Sequence, residues 1–204
     1  MDDFLKNSSL DDSESQIIRK QIIDLTINYY EKTHLPKKFI PGKTMVPVSG
    51  KVFDEIELQL LISSSLDFWL TSDRFNKKFE KNLSNFLNST FVLTTNSGSS
   101  ANLLAITALK SKELGTRSMN DGDEVITVAA GFPTTVNPII QNDLVPVFID
   151  VKLGTYAIDE TKIENAITKK TKAIMLAHTL GNPFNLDYVK ELCKKYNLWL
   201  IEDC

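Results

Sequence analysis

Cysteine is scarce. Cys193 and Cys204 are the only two, so no disulfide framework is available and a reducing, cytoplasmic setting is expected. No apolar run is long enough to cross a bilayer, and no membrane partner is expected. The opening Met1-Asp2-Asp3-Phe4 lacks the basic and apolar regions of a secretory leader. Basic residues are not in excess: the net charge of -3 argues against a nucleic-acid surface. No group of His, Cys and Asp has metal-ligand spacing, so no metal site is expected. Neither a G-x-G-x-x-G nor a G-x-x-x-x-G-K-S/T pattern occurs, which withholds support from a dinucleotide fold or a P-loop. There is no internal repeat and no low-complexity segment.

What is present is an ordinary globular balance, 42% hydrophobic and 24% charged. One stretch stands out, Thr94-Thr95-Asn96-Ser97-Gly98-Ser99-Ser100-Ala101-Asn102. A short β-prone run, Phe91-Val92-Leu93, precedes it, and the helical pattern Leu103, Leu104, Ile106, Ala108, Leu109 follows. Strand, small-residue turn and helix start would point backbone N–H groups and a helix dipole at one spot. Two readings fit: a phosphate cradle, or an N-cap and tight turn with no ligand.

Around this stretch the chain reads in order. Met1–Ser15 is polar and expected to fray. Ile17, Ile18, Gln21, Ile22 and Leu25 recur at helical spacing, giving a helix over about Glu14–Lys32. Pro36–Val52 carries Pro36, Pro41, Gly42, Pro47 and Gly50 and reads as an extended arm. It either crosses onto a partner subunit or is a surface linker. Asp54 with Glu57 reads as a capping box opening a helix through Leu70. Ser72 is placed to cap the next helix, whose stripe Phe75, Phe79, Leu83, Phe86 and Leu87 is expected in the core. Trp69 and Trp199 are expected to pack against the sheet.

From there strands and helices alternate. The strands are Val125–Val128, Val145–Ile149, Ala173–Ala177 and Leu198–Ile201. The helices are about Pro133–Gln141, Asp159–Ala166 and Leu186–Tyr196. This is an α/β pattern with a mainly parallel sheet covered on both faces. Pro146 marks its strand as a start or an edge. The expected organisation is residues 1–52 as helix plus arm and 53–204 as the beginning of an α/β domain. The chain stops at Cys204, just past a strand that reads as buried, so a longer protein is expected.

In parallel α/β sheets, ligands sit beyond the carboxyl ends of the strands. The glycine–serine turn, Phe132 and Asp203 all fall on that edge. A phosphate cradle, an aromatic plate and a carboxylate suit a phosphorylated aromatic ring with a basic nitrogen. Pyridoxal phosphate is such a ring: a carboxylate facing its nitrogen favours the protonated form, and the protonated ring acts as an electron sink. Separately, Asp203 also reads as a helix cap and Phe132 as loop packing. His178 ends its strand; it either faces the same cleft or, the better reading, is a hydrogen-bonded structural histidine. His34 reads as a surface residue and Cys193 as a packing residue.

Several of these stretches together resemble the DegT/DnrJ/StrS sugar aminotransferases, fold type I pyridoxal-phosphate enzymes. They are Leu70–Phe75, Thr94–Asn102, Ala129–Pro138, Leu176–Pro183 and Leu200–Cys204. The Gly131-Phe132-Pro133-Thr134-Thr135 block is similar to that of the branch containing CDP-4-keto-6-deoxy-D-glucose 3-dehydrase. The resemblance implies that Gly98, Ser99 and Ser100 hold the cofactor phosphate, that Phe132 stacks on the ring, and that Asp203 pairs with its nitrogen. It implies pyridoxal 5′-phosphate or, in the dehydrase branch, pyridoxamine 5′-phosphate together with a 2Fe-2S cluster whose cysteine ligands lie beyond this chain. Cys204 matches the first of two adjacent cysteines in that branch. The second is the expected ligand, so Cys204 is not assigned to a cluster.

For a complete protein the resemblance implies loss of the C3 hydroxyl from a nucleotide-linked 4-keto-6-deoxy sugar in lipopolysaccharide synthesis. A reductase partner would supply the electrons, and the enzyme would be a homodimer. Two alternatives stand beside it. One is a sugar aminotransferase whose Schiff-base lysine lies downstream. The other is a truncated product without catalysis. No catalytic base is assigned within the chain.

Overall fold

The structure is a computed structural model that describes residues 13–204. The first part of the expected polar, frayed segment, residues 1–12, lies outside them. Its last residues, Ser13 to Ser15, are already helical. The chain divides into two compact units, one ending at Val92 and the other spanning Leu93–Cys204.

Among the described residues the first unit holds three helices: α1 (Ser13–Thr33), α2 (Glu55–Asp67) and α3 (Arg74–Leu87). Helix α1 forms where its apolar period places it, but a different face is buried. Arg19, Ile23 and Tyr30 face inward, while Ile17, Ile18 and Leu25 are exposed. The reason is an ion pair. The Arg19 guanidinium lies 2.9 Å from the Asp67 carboxylate and donates to Ser63 Oγ at 2.6 Å. Arg74 reaches the same carboxylate at 2.7 Å. A nearly buried arginine must be paired, so Asp67 dictates which side of α1 turns in.

Helix α2 opens with the expected capping box, Asp54 accepting from Ile56 N–H at 2.8 Å and Glu57 from Asp54 N–H at 2.7 Å. It ends at Asp67, short of the expected Leu70, because Phe68 adopts a left-handed φ of 49° and bonds back to Ser65. Asp73, not Ser72, is the N-cap of α3, and its carboxylate pairs with Lys77 instead of capping. The aromatic stripe of α3 corrects a second expectation: Phe79, Phe86 and Leu87 are exposed rather than in a core. Trp69 is likewise exposed and lines a cleft of its own unit with Arg74 and Phe79. Helical spacing reveals an apolar face; it does not supply the element that covers it. The arm from Pro36 to Val52 contains no helix or strand and is exposed throughout, as expected. His34 is exposed as expected, beside Tyr29, Tyr30 and Phe53.

The second unit begins without the expected strand. Phe91-Val92-Leu93 pairs with nothing among the described residues, and Phe91 and Leu93 are exposed. A strand needs a neighbour to take its ladder bonds, and none is present there. Then come α4 (Gly98–Ala108), β1 (Glu124–Val128), α5 (Pro133–Gln141), β2 (Val145–Ile149), α6 (Ile163–Ala166), β3 (Thr171–Ala177), α7 (Leu186–Tyr196) and β4 (Trp199–Asp203). The four strands form one parallel sheet in the order β2-β1-β3-β4. Pro146 does lie on an edge strand. The helix expected over Asp159–Ala166 is split into a tight 3-10 turn, Glu160–Lys162, and α6.

Alternation along the strands builds two cores. Ile126, Val128, Ile174 and Leu176 pack with Ile163, Val189 and Leu192 on one face. Val125, Ala173 and Met175 pack with Ile106 of α4 and Ile139 of α5 on the other, and Trp199 joins them. The Trp199 indole donates to Arg117 O at 3.0 Å. Cys193 is buried in the first core and its thiol is pushed up to about 11 by that burial, as a packing residue requires.

Glu160 fastens the 3-10 turn to α7. It accepts from Asn185 N–H at 2.7 Å and pairs with Lys152. Burial pushes its carboxyl up, but the bonds from Lys152 and Asn185 outweigh this and hold it below the usual carboxylate range. A depressed folded value gives stability that is complete above the unfolded value of about 4.3 and is lost as pH falls through the folded one. Glu160→Gln should therefore flatten part of the acid limb of the stability profile below about pH 4.3, read as urea midpoint against pH. An acid limb identical to wild type would contradict this role.

Candidate functional site

Three helix and strand ends of the second unit carry the residues of interest. Helix α4 starts with small residues, and a Cβ on Gly98 would meet no atom within 4 Å. Ser97 is the N-cap. Its Oγ accepts from Ser100 N–H at 3.2 Å, and its hydroxyl donates to Ser100 Oγ at 3.2 Å. The cap reading of this turn is thus observed for Ser97. It does not exhaust the turn, since the N–H groups of Gly98 and Ser99 have no intrahelical acceptor. Those two N–H groups, the Ser99 hydroxyl and the O–H of Ser100 remain as donors at the positive end of the α4 dipole.

The loop from β1 to α5 places Phe132, a residue 70% exposed, at the N-cap of α5. Just before it, a Cβ on Gly131 would come within 3.2 Å of Val128 Cγ1, so the loop hugs the end of β1. Thr135 N–H donates back to Phe132 O at 3.0 Å, closing the first turn of α5. Pro133 stands at the first helical position, where its missing N–H costs nothing.

Asp203 is the last residue of β4 and is half-buried. Its Oδ2 accepts from Asn102 Nδ2 at 2.9 Å and from Thr135 Oγ1 at 2.5 Å. The Asn102 amide also donates to Thr134 O at 3.2 Å. Asn102 is 7% exposed and Thr135 fully buried. One turn past Gly98, Asn102 lies on the same face of α4. A continuous set of bonds therefore joins the start of α4, the start of α5 and the end of β4. The structure brings Asp203 into one network with the two elements that carry Gly98–Ser100 and Phe132.

His178 follows β3 on the same edge. Its Nε2 is 3.1 Å from Glu202 Oε2, and its ring stacks on Phe184 with centroids 4.4 Å apart and planes at 9°. Its N–H donates to Asp203 O at 3.1 Å. The Nε2 contact fits the hydrogen-bonded reading, while the buried Nδ1 has no hydrogen-bond partner among the described residues. Asn102 and Thr135 are the residues to which the sequence assigned no role. Their signal was present: an amide inside the apolar pattern of α4, and a hydroxyl placed one turn into α5. Among the described residues no group of His, Cys, Asp and Glu is arranged to hold a metal ion. Among them, too, no helix is long and apolar enough to cross a membrane.

The arrangement offers an anion site, an exposed aromatic face and a carboxylate with one oxygen already occupied. That donor set fits a phosphorylated pyridine: N–H and O–H donors for the phosphate, an acceptor for a protonated ring nitrogen, and a flat apolar surface for the ring.

Comparison with known proteins agrees. The model of the DegT/DnrJ/EryC1/StrS aminotransferase family matches residues 53–204. The lipopolysaccharide biosynthesis protein RfbH of Salmonella typhimurium is 60% identical over 187 residues, covering 92% of this chain and 43% of that protein. The dTDP-4-dehydro-2,6-dideoxy-D-glucose 3-dehydratase of Saccharopolyspora spinosa is 44% identical over 184 residues, 90% of this chain and 40% of that protein. Among solved structures, the E. coli GDP-4-keto-6-deoxy-D-mannose-3-dehydratase with bound hydrated PLP superposes with a TM-score of 0.71 at 33% identity, covering 78% of this chain and 40% of that one. The chain thus spans about two-fifths of the length of the relatives it matches.

The N-cap is a measurable part of this site. Ser97→Ala should lower the stability of the second unit by about 1 kcal/mol, and Ser97→Asp should restore it. Equal stability of wild type and Ser97→Ala in urea titrations would contradict the cap.

Proposed function

This chain belongs to the DegT/DnrJ/EryC1/StrS aminotransferase family, and we propose that it forms the cofactor-holding part of a 3-dehydratase acting on a nucleotide-linked 4-keto-6-deoxy sugar. The product would feed deoxysugar synthesis for lipopolysaccharide. The observation that carries this reading is the single network joining Asp203 to the starts of α4 and α5. It occurs in a chain 44% identical to a sugar 3-dehydratase.

In this reading the N–H groups of Gly98 and Ser99 and the hydroxyls of Ser99 and Ser100 hold the phosphate of pyridoxamine or pyridoxal 5′-phosphate. Phe132 covers the ring, and Asp203 accepts the hydrogen bond from the protonated ring nitrogen. Bound there, the cofactor supplies an electron sink for breaking a carbon–hydrogen bond. The chain's own contribution is placement: the α4 dipole neutralises phosphate charge, Phe132 sets the tilt of the ring, and Asp203 keeps the nitrogen proton in place. No residue of the chain is assigned as the base. A 2Fe-2S cluster, a reductase partner and a homodimer in the cytoplasm belong to the same reading of the complete protein. Residues 1–52 are then a helix and arm, and 53–204 the first part of the cofactor domain. The family description favours a second reading, a sugar aminotransferase whose lysine lies outside this chain.

Equilibrium dialysis with pyridoxal 5′-phosphate tests the site. The chain should bind it saturably, and Asp203→Asn should weaken binding about tenfold. Absence of saturable binding, or equal binding by the variant, would overturn the reading. The reaction class is tested on the complete polypeptide loaded with pyridoxal 5′-phosphate. A dehydratase should show no visible band that borohydride removes, and an aminotransferase should show one.

A further inference from the structure

Asp203 is held by residues that the proposed function leaves without a task. Both recorded bonds to its carboxylate fall on Oδ2, from Asn102 Nδ2 at 2.9 Å and Thr135 Oγ1 at 2.5 Å. No bond among the described residues falls on Oδ1. The two donors come from different helices. Asn102 is itself fixed by its second bond, to Thr134 O at 3.2 Å, and Thr135 by the turn it closes onto Phe132 O. A carboxylate with one free torsion and two donors on one oxygen cannot turn about its last bond without breaking both. Such bonds to a charged group are worth roughly 1.5–3 kcal/mol each.

We propose that Asn102 and Thr135 are positioning residues that lock the Asp203 carboxylate through Oδ2 and so reserve Oδ1 for the ring nitrogen of a phosphorylated pyridine. The proposal rests on the reading of Asp203 as the acceptor for that nitrogen. A purely structural role for the two residues would also explain their burial. It would not make the recognition of one ring atom depend on a hydroxyl and an amide.

The test compares pyridoxal 5′-phosphate with its 1-deaza analogue, in which CH replaces the ring nitrogen. Dissociation constants are measured on the chain by equilibrium dialysis. Wild type should prefer the pyridine by about tenfold. Thr135→Val keeps the shape and loses the donor, Asn102→Leu does the same for the amide, and each should reduce the preference to about threefold or less. Thr135→Ser keeps the hydroxyl and should retain the wild-type preference. Affinity for inorganic phosphate should be unchanged in all three, since the α4 terminus is untouched. If Asn102→Leu fails to fold, the Val and Ser pair at position 135 decides. Retention of the full preference by Thr135→Val, or its equal loss in Thr135→Ser, overturns the positioning role while leaving Asp203 as acceptor. A wild-type chain that binds both ligands equally, or neither, overturns the acceptor reading and this proposal with it.

Discussion

Two hydrogen bonds onto one oxygen of Asp203 tie together the parts of this chain that matter for chemistry. Asn102 carries the start of α4 to the end of β4, and Thr135 carries the start of α5 to the same point. Each donor is buried where an unmet polar group would be costly. The network therefore holds only if all its members are present. Removing the carboxylate would strand an amide and a hydroxyl, and removing either donor would free the carboxylate to rotate. The end of a strand and the starts of two helices are thus joined by one set of hydrogen bonds.

The parallel sheet makes that junction a site. In the order β2-β1-β3-β4 every strand ends on the same edge, so Val128, Ile149, Ala177 and Asp203 finish side by side. Each following loop is forced to begin there, which is why Phe132 and His178 share the edge. His178 reinforces it from the side of β3, through its N–H to Asp203 O and its ring to Glu202. The sheet owes its rigidity to the two cores that alternate across β1 and β3. Their side chains, among them Ile126, Ile174 and Met175, are fully buried.

Much of this was legible in the residues, for physical reasons that differ by element. The strands read as continuous apolar runs, and their positions matched closely; the central β1 and β3 are buried, while the edge strands β2 and β4 are mostly half-buried or exposed. The capping box at Asp54 and Glu57 is local chemistry and formed as expected. The placement of Phe132 and Asp203 on one edge followed from the strand order, whereas the start of α4 is tied to it by Asn102 and not by a preceding strand. What sequence could not show depends on long-range partners. The inward face of α1 is set by Asp67, far along the chain. Phe91-Val92-Leu93 has strand character but no strand neighbour among the described residues, and Phe79, Phe86 and Leu87 of the α3 stripe are exposed. The role of Asn102 is not legible in the sequence, since its partner lies at Asp203, on an element remote in sequence.

The central claim is that Asp203, held through Oδ2, offers Oδ1 to a ring nitrogen while the α4 terminus holds a phosphate. A crystal structure of the chain with pyridoxal 5′-phosphate tests it most directly. The account predicts phosphate oxygens on the Gly98 and Ser99 N–H groups and the ring nitrogen about 2.7–2.9 Å from Asp203 Oδ1, with the bonds from Asn102 and Thr135 intact. A ring nitrogen directed away from Asp203, or a phosphate bound away from the start of α4, would contradict it.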